Sequence, residues 1–223
     1  MTDFPLTNEE IFEAFSETLG EYQGKILRVY QHEYFLTIRS LIPVDGKVAK
    51  GDSFRQGVAL RANWDSIEVC PFVHREVCQN GTIVPIGFSR VSTDRNEDKD
   101  WAIVQLKKGL MQCFHPATFA ESLHQFKEST TRPLPGEFNL VEFLSKNKMR
   151  MSRRKLERFA ELLRQEERND YGLMNALTAL ARDEKDPFFR WDLELLGGQV
   201  GIDEAEMPIT FVVEESTYKA AWA

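Results

Sequence analysis

The sequence predicts an α+β fold, with an antiparallel sheet of about four to six strands, helices packed on one side, and then a C-terminal helical segment. A helix signature opens the chain, and residues 25–86 are rich in β-branched and aromatic side chains. After residue 136 apolar residues recur at helical spacing. These features divide the 223 residues into a core at 1–130, a linker at 131–136 and a helical segment at 137–223.

The first helix is predicted over residues 7–19. Thr7 can cap it, and Glu10 follows three residues later as in a capping box. Ile11 and Phe15 then recur at helical spacing, so one face of this helix should be buried.

Several strands should follow. Residues 25–43 read as strand with a break near 31–33. Residues 54–62 alternate between apolar and small or charged side chains, a period of two that predicts a strand with one buried face. Residues 67–73 continue this pattern.

Glycine-containing pairs mark the predicted turns. Asp45-Gly46 and Asn80-Gly81 are hairpin signals, and Gly197-Gly198 is expected to stop the last helix. The polar residues 92–100 predict an exposed loop. The remaining predicted elements are helices over 101–114, 117–126, 152–167 and 171–182, a helix around 191–196, and a strand at 209–213.

Composition limits the function. The formal net charge is −7, so the molecule as a whole does not attract nucleic acid, and such binding would need a local basic surface. Three cysteines form no disulfide framework and suit a reducing cytosol. We find no signal peptide and no apolar run long enough to span a bilayer, which predicts a cytoplasmic protein without membrane contact.

The densest charge lies in residues 146–158, KNKMRMSRRKLER, where seven cations stand against one acid. Such a run can neutralise phosphates and release counterions. Positive charges beside a helix N-terminus are destabilising because they meet the positive end of the helix dipole. Their clustering at this helix start would be explained if they had a function. The alternative is a plain solvated surface. The phosphate-contact candidates in this run are Lys146, Lys148, Arg150, Arg153, Arg154 and Lys155.

A second candidate surface lies on the strands. Arg55 and Arg61 share a predicted face with the small residues Gly57 and Ala59, which would leave room for a phosphate backbone. Nearby aromatic residues could stack on bases, and Tyr34 and Trp64 are the candidates. The alternative is that these rings belong to the core.

Other chemistry has weaker support. Cys70, His74 and Cys78 are spaced by four, which on a strand places them about 13 Å apart, too far for one zinc ion. No nucleotide-binding loop and no nucleophile signature is present. We therefore predict no metal, no cofactor and no catalytic residue, with an unrecognised nuclease or hydrolase as the alternative.

Two patches resemble one family. Residues 171–200 hold YGLMNALTALARD and RWDLELLGGQV, and residues 51–84 include VCQNG at 77–81. Both resemble the phage/plasmid-like proteins that carry domain of unknown function 932, and the layout is more distantly similar to single-strand annealing proteins of the RecT and Erf type. In residues 51–84, the resemblance to the domain of unknown function 932 family rests on Gly51, Asp52, Gly57, Asn63, Pro71, Phe72, Arg75 and the VCQNG motif.

The resemblance implies non-catalytic nucleic-acid binding, with single-stranded DNA favoured, in recombination, replication or defence of a mobile element. We also predict a homo-oligomer, because an acidic chain with a basic stripe gains from association when the stripes of neighbouring copies join into one groove. The alternative is a protein-interaction scaffold of a phage or antiphage defence system that never contacts nucleic acid.

Overall fold

The computed structural model describes residues 6–49, 51–86, 91–96 and 98–208, and these form the predicted α+β fold. The strands are β1 (Lys25–His32), β2 (Phe35–Ala49), β3 (Asp52–Ala62), β4 (Ser66–Arg75), β5 (Asn80–Ile83) and β6 (Val91–Asp94). The helices are α1 (Asn8–Glu21), α2 (Lys99–Phe114), α3 (Pro116–Ser129), α4 (Leu140–Lys146), α5 (Arg153–Arg164), α6 (Asp170–Asp183) and α7 (Pro187–Gly201). The predicted strand at 209–213 lies outside the described residues.

All strand pairs in the described sheet are antiparallel. The order is β1-β2-β3-β4-β5, and β6 pairs with the first half of β4. The break predicted near 31–33 is confirmed, because β1 ends at His32 and Glu33 turns the chain with a φ of 47°.

Helices cover both faces of this sheet, whereas the sequence predicted them on one side only. On one face Leu36, Ile38 and Leu60 are fully buried in a cluster that also contains residues of α1 and α2. On the other face Ala59 and Cys70 pack with Trp191 of α7. The C-terminal helical segment thus supplies the cover of the second face.

Local signals explain where α1 and α2 begin. Thr7 caps α1, and Glu10 completes the predicted capping box. The loop predicted at 92–100 is wrong in part, because Val91–Asp94 pairs with β4 and α2 already begins at Lys99. A short edge strand is held by backbone hydrogen bonds, so its polar side chains give no strand signal.

The prediction of a turn at Asp45-Gly46 is wrong, because both residues lie inside β2. A β-carbon at Gly46 would lie 2.2 Å from Cδ1 of Leu123, so this glycine permits close contact with α3. The chain turns after Ala49 instead, where Gly51 has a φ of 85°.

The other two glycine signals are also displaced. Asn80-Gly81 starts β5, and the turn falls at residues 76–79 with Gln79 at a φ of 56°. Helix α7 continues through Gly198 to Gly201. A β-carbon at Gly198 would lie 1.8 Å from the backbone oxygen of Ile83, so the glycine lets α7 cross β5 closely.

Residues 131–136, the predicted linker, are anchored to the helices that follow. Arg132 pairs with Asp170 at 2.7 Å from Nε to Oδ2 and donates to the backbone oxygen of Gly201 at 2.9 Å. One apolar cluster contains residues from both sides of this segment, including Phe54, Phe126, Phe143, Phe159 and Leu177. The described helices include none long and apolar enough to traverse a bilayer.

Candidate nucleic-acid interface

Arg55 is held by acids of its own sheet. It contacts Asp45 at 3.1 Å from Nε to Oδ1 and Glu76 at 2.7 Å from Nη2 to Oε1. Two carboxylates thus balance its single positive charge. A phosphate would have to displace one of them, so Arg55 is a poor contact for a polyanion.

Arg61 is similarly engaged. Its guanidinium pairs with Glu68 at 2.8 Å and with Asp192 at 3.5 Å, and its Cζ lies 4.9 Å from the Trp191 ring centroid. The open strand face expected beside Gly57 and Ala59 is wrong, because α7 covers it and Ala59 is fully buried. The small residues there make room for protein, not for a phosphate backbone.

Two members of the basic run are also paired. Lys146 lies 3.6 Å from Glu142 and donates to the backbone oxygen of Met207. Lys155 contacts Glu184 at 2.6 Å, and its Nζ lies 4.1 Å from the Phe189 ring centroid. Burial acts to raise the pKa of Glu184, but hydrogen bonds from Lys155 and from backbone N–H groups outweigh it and lower that pKa.

Four of the six candidate cations in the run remain available and form what we call the basic patch: Lys148, Arg150, Arg153 and Arg154. All four are exposed. Arg153 meets Glu157 in an i,i+4 pair, but its side chain is 92% exposed, and such surface pairs contribute little. Within the described part of the chain, the other three have no ion pair with an acid.

The local backbone presents the basic patch outward. Lys148 turns the chain after α4 with a φ of 54°, and Ser152 caps α5 by accepting from the Lys155 backbone N–H at 3.4 Å. Phe159 and Leu162 bury the opposite side of α5. The patch therefore lies at the positive end of the α5 dipole, which repels cations and favours a bound anion.

Tyr34 and Trp64 lie at one end of the sheet. Tyr34 is in the β1–β2 turn and Trp64 in the β3–β4 turn, and their side chains are 60% and 65% exposed. Arg95 joins the two turns by donating to the backbone oxygens of Tyr34 and Asn63. Both rings are therefore surface groups rather than core, which keeps them as stacking candidates.

The start of α7 lies between the basic run and this end of the sheet. Phe189 contacts Lys155, and the neighbouring Phe188 meets Phe35 edge to face at 5.0 Å and Tyr30 at 6.4 Å between ring centroids. A partly exposed aromatic surface thus connects the cations of α5 with the β1–β2 hairpin.

Sequence reasoning missed two buried polar networks. Arg39 of β2 contacts Glu194 of α7 at 2.6 Å, with both side chains under a tenth exposed. Asp52 receives a two-pronged contact from Arg75 at 2.6 and 3.0 Å and a short hydrogen bond from the Tyr171 hydroxyl. Burial raises the pKa of Tyr171, so its hydroxyl stays protonated. Partners so distant in sequence leave no local signal.

These networks fit structural roles, since each acid in them is matched by an arginine. Over the residues that the structure describes, no group of three or more histidine, cysteine or acidic side chains is placed to hold a metal ion.

Comparisons with known proteins add no relative. No family model matches the chain, and no curated protein and no solved structure matches it significantly. The resemblance to the domain of unknown function 932 family therefore stays a prediction.

Proposed function

We propose that the protein binds single-stranded DNA without catalysis, through the basic patch at the start of α5, in the recombination, replication or defence of a mobile element. The observation that carries this proposal is a set of four exposed cations, Lys148, Arg150, Arg153 and Arg154, that the described acids of the chain leave almost unneutralised. In a protein with a net charge of −7, such a cluster favours a polyanion as its partner.

The exposed rings favour a single strand over a duplex. Tyr34 and Trp64 can stack only on bases whose faces are free, and those of a duplex are covered by their neighbours. Phosphate contacts at the basic patch and base stacking on Tyr34 and Trp64 would then both contribute to binding one single strand.

A patch of four cations binds weakly alone. Association of two or more copies would place their patches along one strand, and the linked sites would gain affinity through effective concentration. A homo-oligomer is therefore part of the proposal.

The test is fluorescence anisotropy with a labelled oligothymidylate at low salt. Replacing Lys148, Arg150, Arg153 and Arg154 together by alanine should weaken binding by about 10-fold or more, because the released counterions supply most of the affinity. The matched control replaces Lys99, Lys107, Lys108 and Lys127, which changes net charge equally. An equal loss in both variants would mean that the patch has no special role, and the proposal would fail.

A protein-interaction scaffold is the second candidate. On α2, Trp101, Val104 and Met111 form an exposed apolar stripe beside an open groove of about 730 Å³. Such surfaces mark protein contacts. If wild-type protein leaves the anisotropy of the oligonucleotide unchanged, this function becomes the better account. Metal-dependent cleavage of the oligonucleotide would instead indicate a nuclease.

A further inference from the structure

Strand β1 has little protein around it. Its residues are exposed except Ile26, which is half-buried, so both side-chain faces meet solvent. Val29 and Tyr30 follow each other along the strand and therefore point to opposite faces. Both are large apolar side chains that remain 40% and 37% exposed in the single chain, so a partner could bury further apolar area there.

The outer edge of β1 is also open. Over the described residues β1 pairs only with β2, so its other edge presents backbone N–H and C=O groups to solvent. At the opposite side of the sheet, β5 and β6 have four residues each, and α7 lies against Ile83 of β5. Among the described strands β1 is therefore the one long strand with a free edge.

We propose that β1 pairs antiparallel with β1 of a second copy, about a two-fold axis perpendicular to the sheet, so that one sheet continues through a homodimer. Head-to-tail growth would need a second open edge, which the short β5 and β6 do not offer. A two-fold contact needs only β1, because the same strand serves on both sides.

The strand sequence is self-complementary when Val29 lies on the axis. Arg28 then stands opposite Tyr30 of the second copy, which allows a cation–π contact across the strands. At the strand ends, Lys25 comes close to Glu33 of the second copy. Shifting the axis to residue 28 would set Arg28 against itself. The axis at Val29 avoids that repulsion. The shift of register between Ile26 and Arg28 in the β1–β2 pairing lies to one side of this axis.

This inference does not depend on DNA binding, and its test uses no nucleic acid. Sedimentation of the full chain should give about twice the 25.8 kDa of one copy, with dissociation on dilution. Val29→Glu should convert the dimer to monomer, since two carboxylates would meet at the axis. Val141→Glu on α4 is the matched control, an exposed valine that should leave the dimer intact.

Cross-linking checks the geometry directly. Val29→Cys should give a disulfide-linked dimer under mild oxidation, because a residue on the axis lies opposite the same residue of the second copy, whereas Val141→Cys should not. A wild-type monomer at high concentration, a dimer that survives Val29→Glu, or larger open-ended assemblies would each overturn the proposal. Circular dichroism of Val29→Glu confirms that a monomer is folded.

Discussion

At the scale of single residues, the buried pair of Arg39 and Glu194 determines how α7 sits on the sheet. Its atoms approach to 2.6 Å, and the Arg39 guanidinium also lies 4.5 Å from the Trp191 ring centroid. Burial raises the pKa of the Glu194 carboxyl, and the nearby guanidinium only partly offsets this. Losing either partner would leave an uncompensated charge between sheet and helix.

Glu194→Gln should therefore lower the free energy of unfolding by about 3–5 kcal/mol, because Arg39 would remain buried without its counter-charge. Urea unfolding measures this. Glu157→Gln removes an exposed pair with Arg153 and should cost less than about 1 kcal/mol. The double variant Arg39→Met with Glu194→Met should recover most of the loss. If it is as unstable as Glu194→Gln, the uncompensated charge is not the cause.

His74 predicts a pH dependence of stability. Burial, aided by the positive charge of Arg55, lowers the pKa of His74 below its usual 6.5, although Glu76 opposes this. Below pH 6.5 the unfolded chain then binds more protons than the folded one, so stability falls as the pH drops. His74→Gln should flatten the fall in unfolding free energy between pH 6.5 and pH 5, and the exposed His124→Gln is the control. An unchanged slope in His74→Gln would contradict this.

At the scale of elements, the sequence predicted the class of structure better than its turns. Capping at Thr7, a strand at 54–62 and the helices after residue 136 are all confirmed, but both faces of that strand are buried where the alternation predicted one. Such signals are local, since they arise from neighbours in sequence. The glycine pairs misled because glycine serves both turns and close contacts, and only the fold reveals which.

The basic patch was predictable in part. Clustering alone identified residues 146–158, but not which of these cations face an acid from elsewhere in the chain. Glu184, which neutralises Lys155, lies 29 residues further along the chain. Arg55 and Arg61 were chosen for a face that α7 covers, a tertiary contact that strand periodicity cannot indicate.

Alanine substitutions at two glycines test the close-contact explanation, because they should change the free energy of unfolding in opposite directions. Gly198→Ala should destabilise the protein by about 1–3 kcal/mol, because the new methyl group meets the Ile83 backbone oxygen. Gly20→Ala in α1 should stabilise it by about 0.4–1 kcal/mol, because no atom lies within 4 Å of the added carbon. Thermal unfolding distinguishes the two. A Gly198→Ala variant as stable as wild type would remove the reason for glycine at this crossing.

At the scale of the whole molecule, a net charge of −7 surrounds a small positive patch. If four cations each neutralise one phosphate, the slope of log affinity against log salt should be about −3 for a single strand. Anisotropy titrations at several salt concentrations measure it. Arg154→Ala should make the slope shallower by about 0.7, whereas Lys127→Ala should leave it unchanged. Affinity independent of salt would be inconsistent with phosphate contact.

The position of α7 has a consequence for synthesis on the ribosome. The helix that covers the second face of the sheet begins at Pro187, whereas the strands it covers are complete by Ile83. A nascent chain therefore carries an uncovered apolar sheet face while roughly a hundred further residues are translated, about 5–20 seconds at ordinary elongation rates. During that interval the face around Ala59 and Cys70 is a site where chaperones would bind, and truncation before α7 should leave an aggregation-prone fragment.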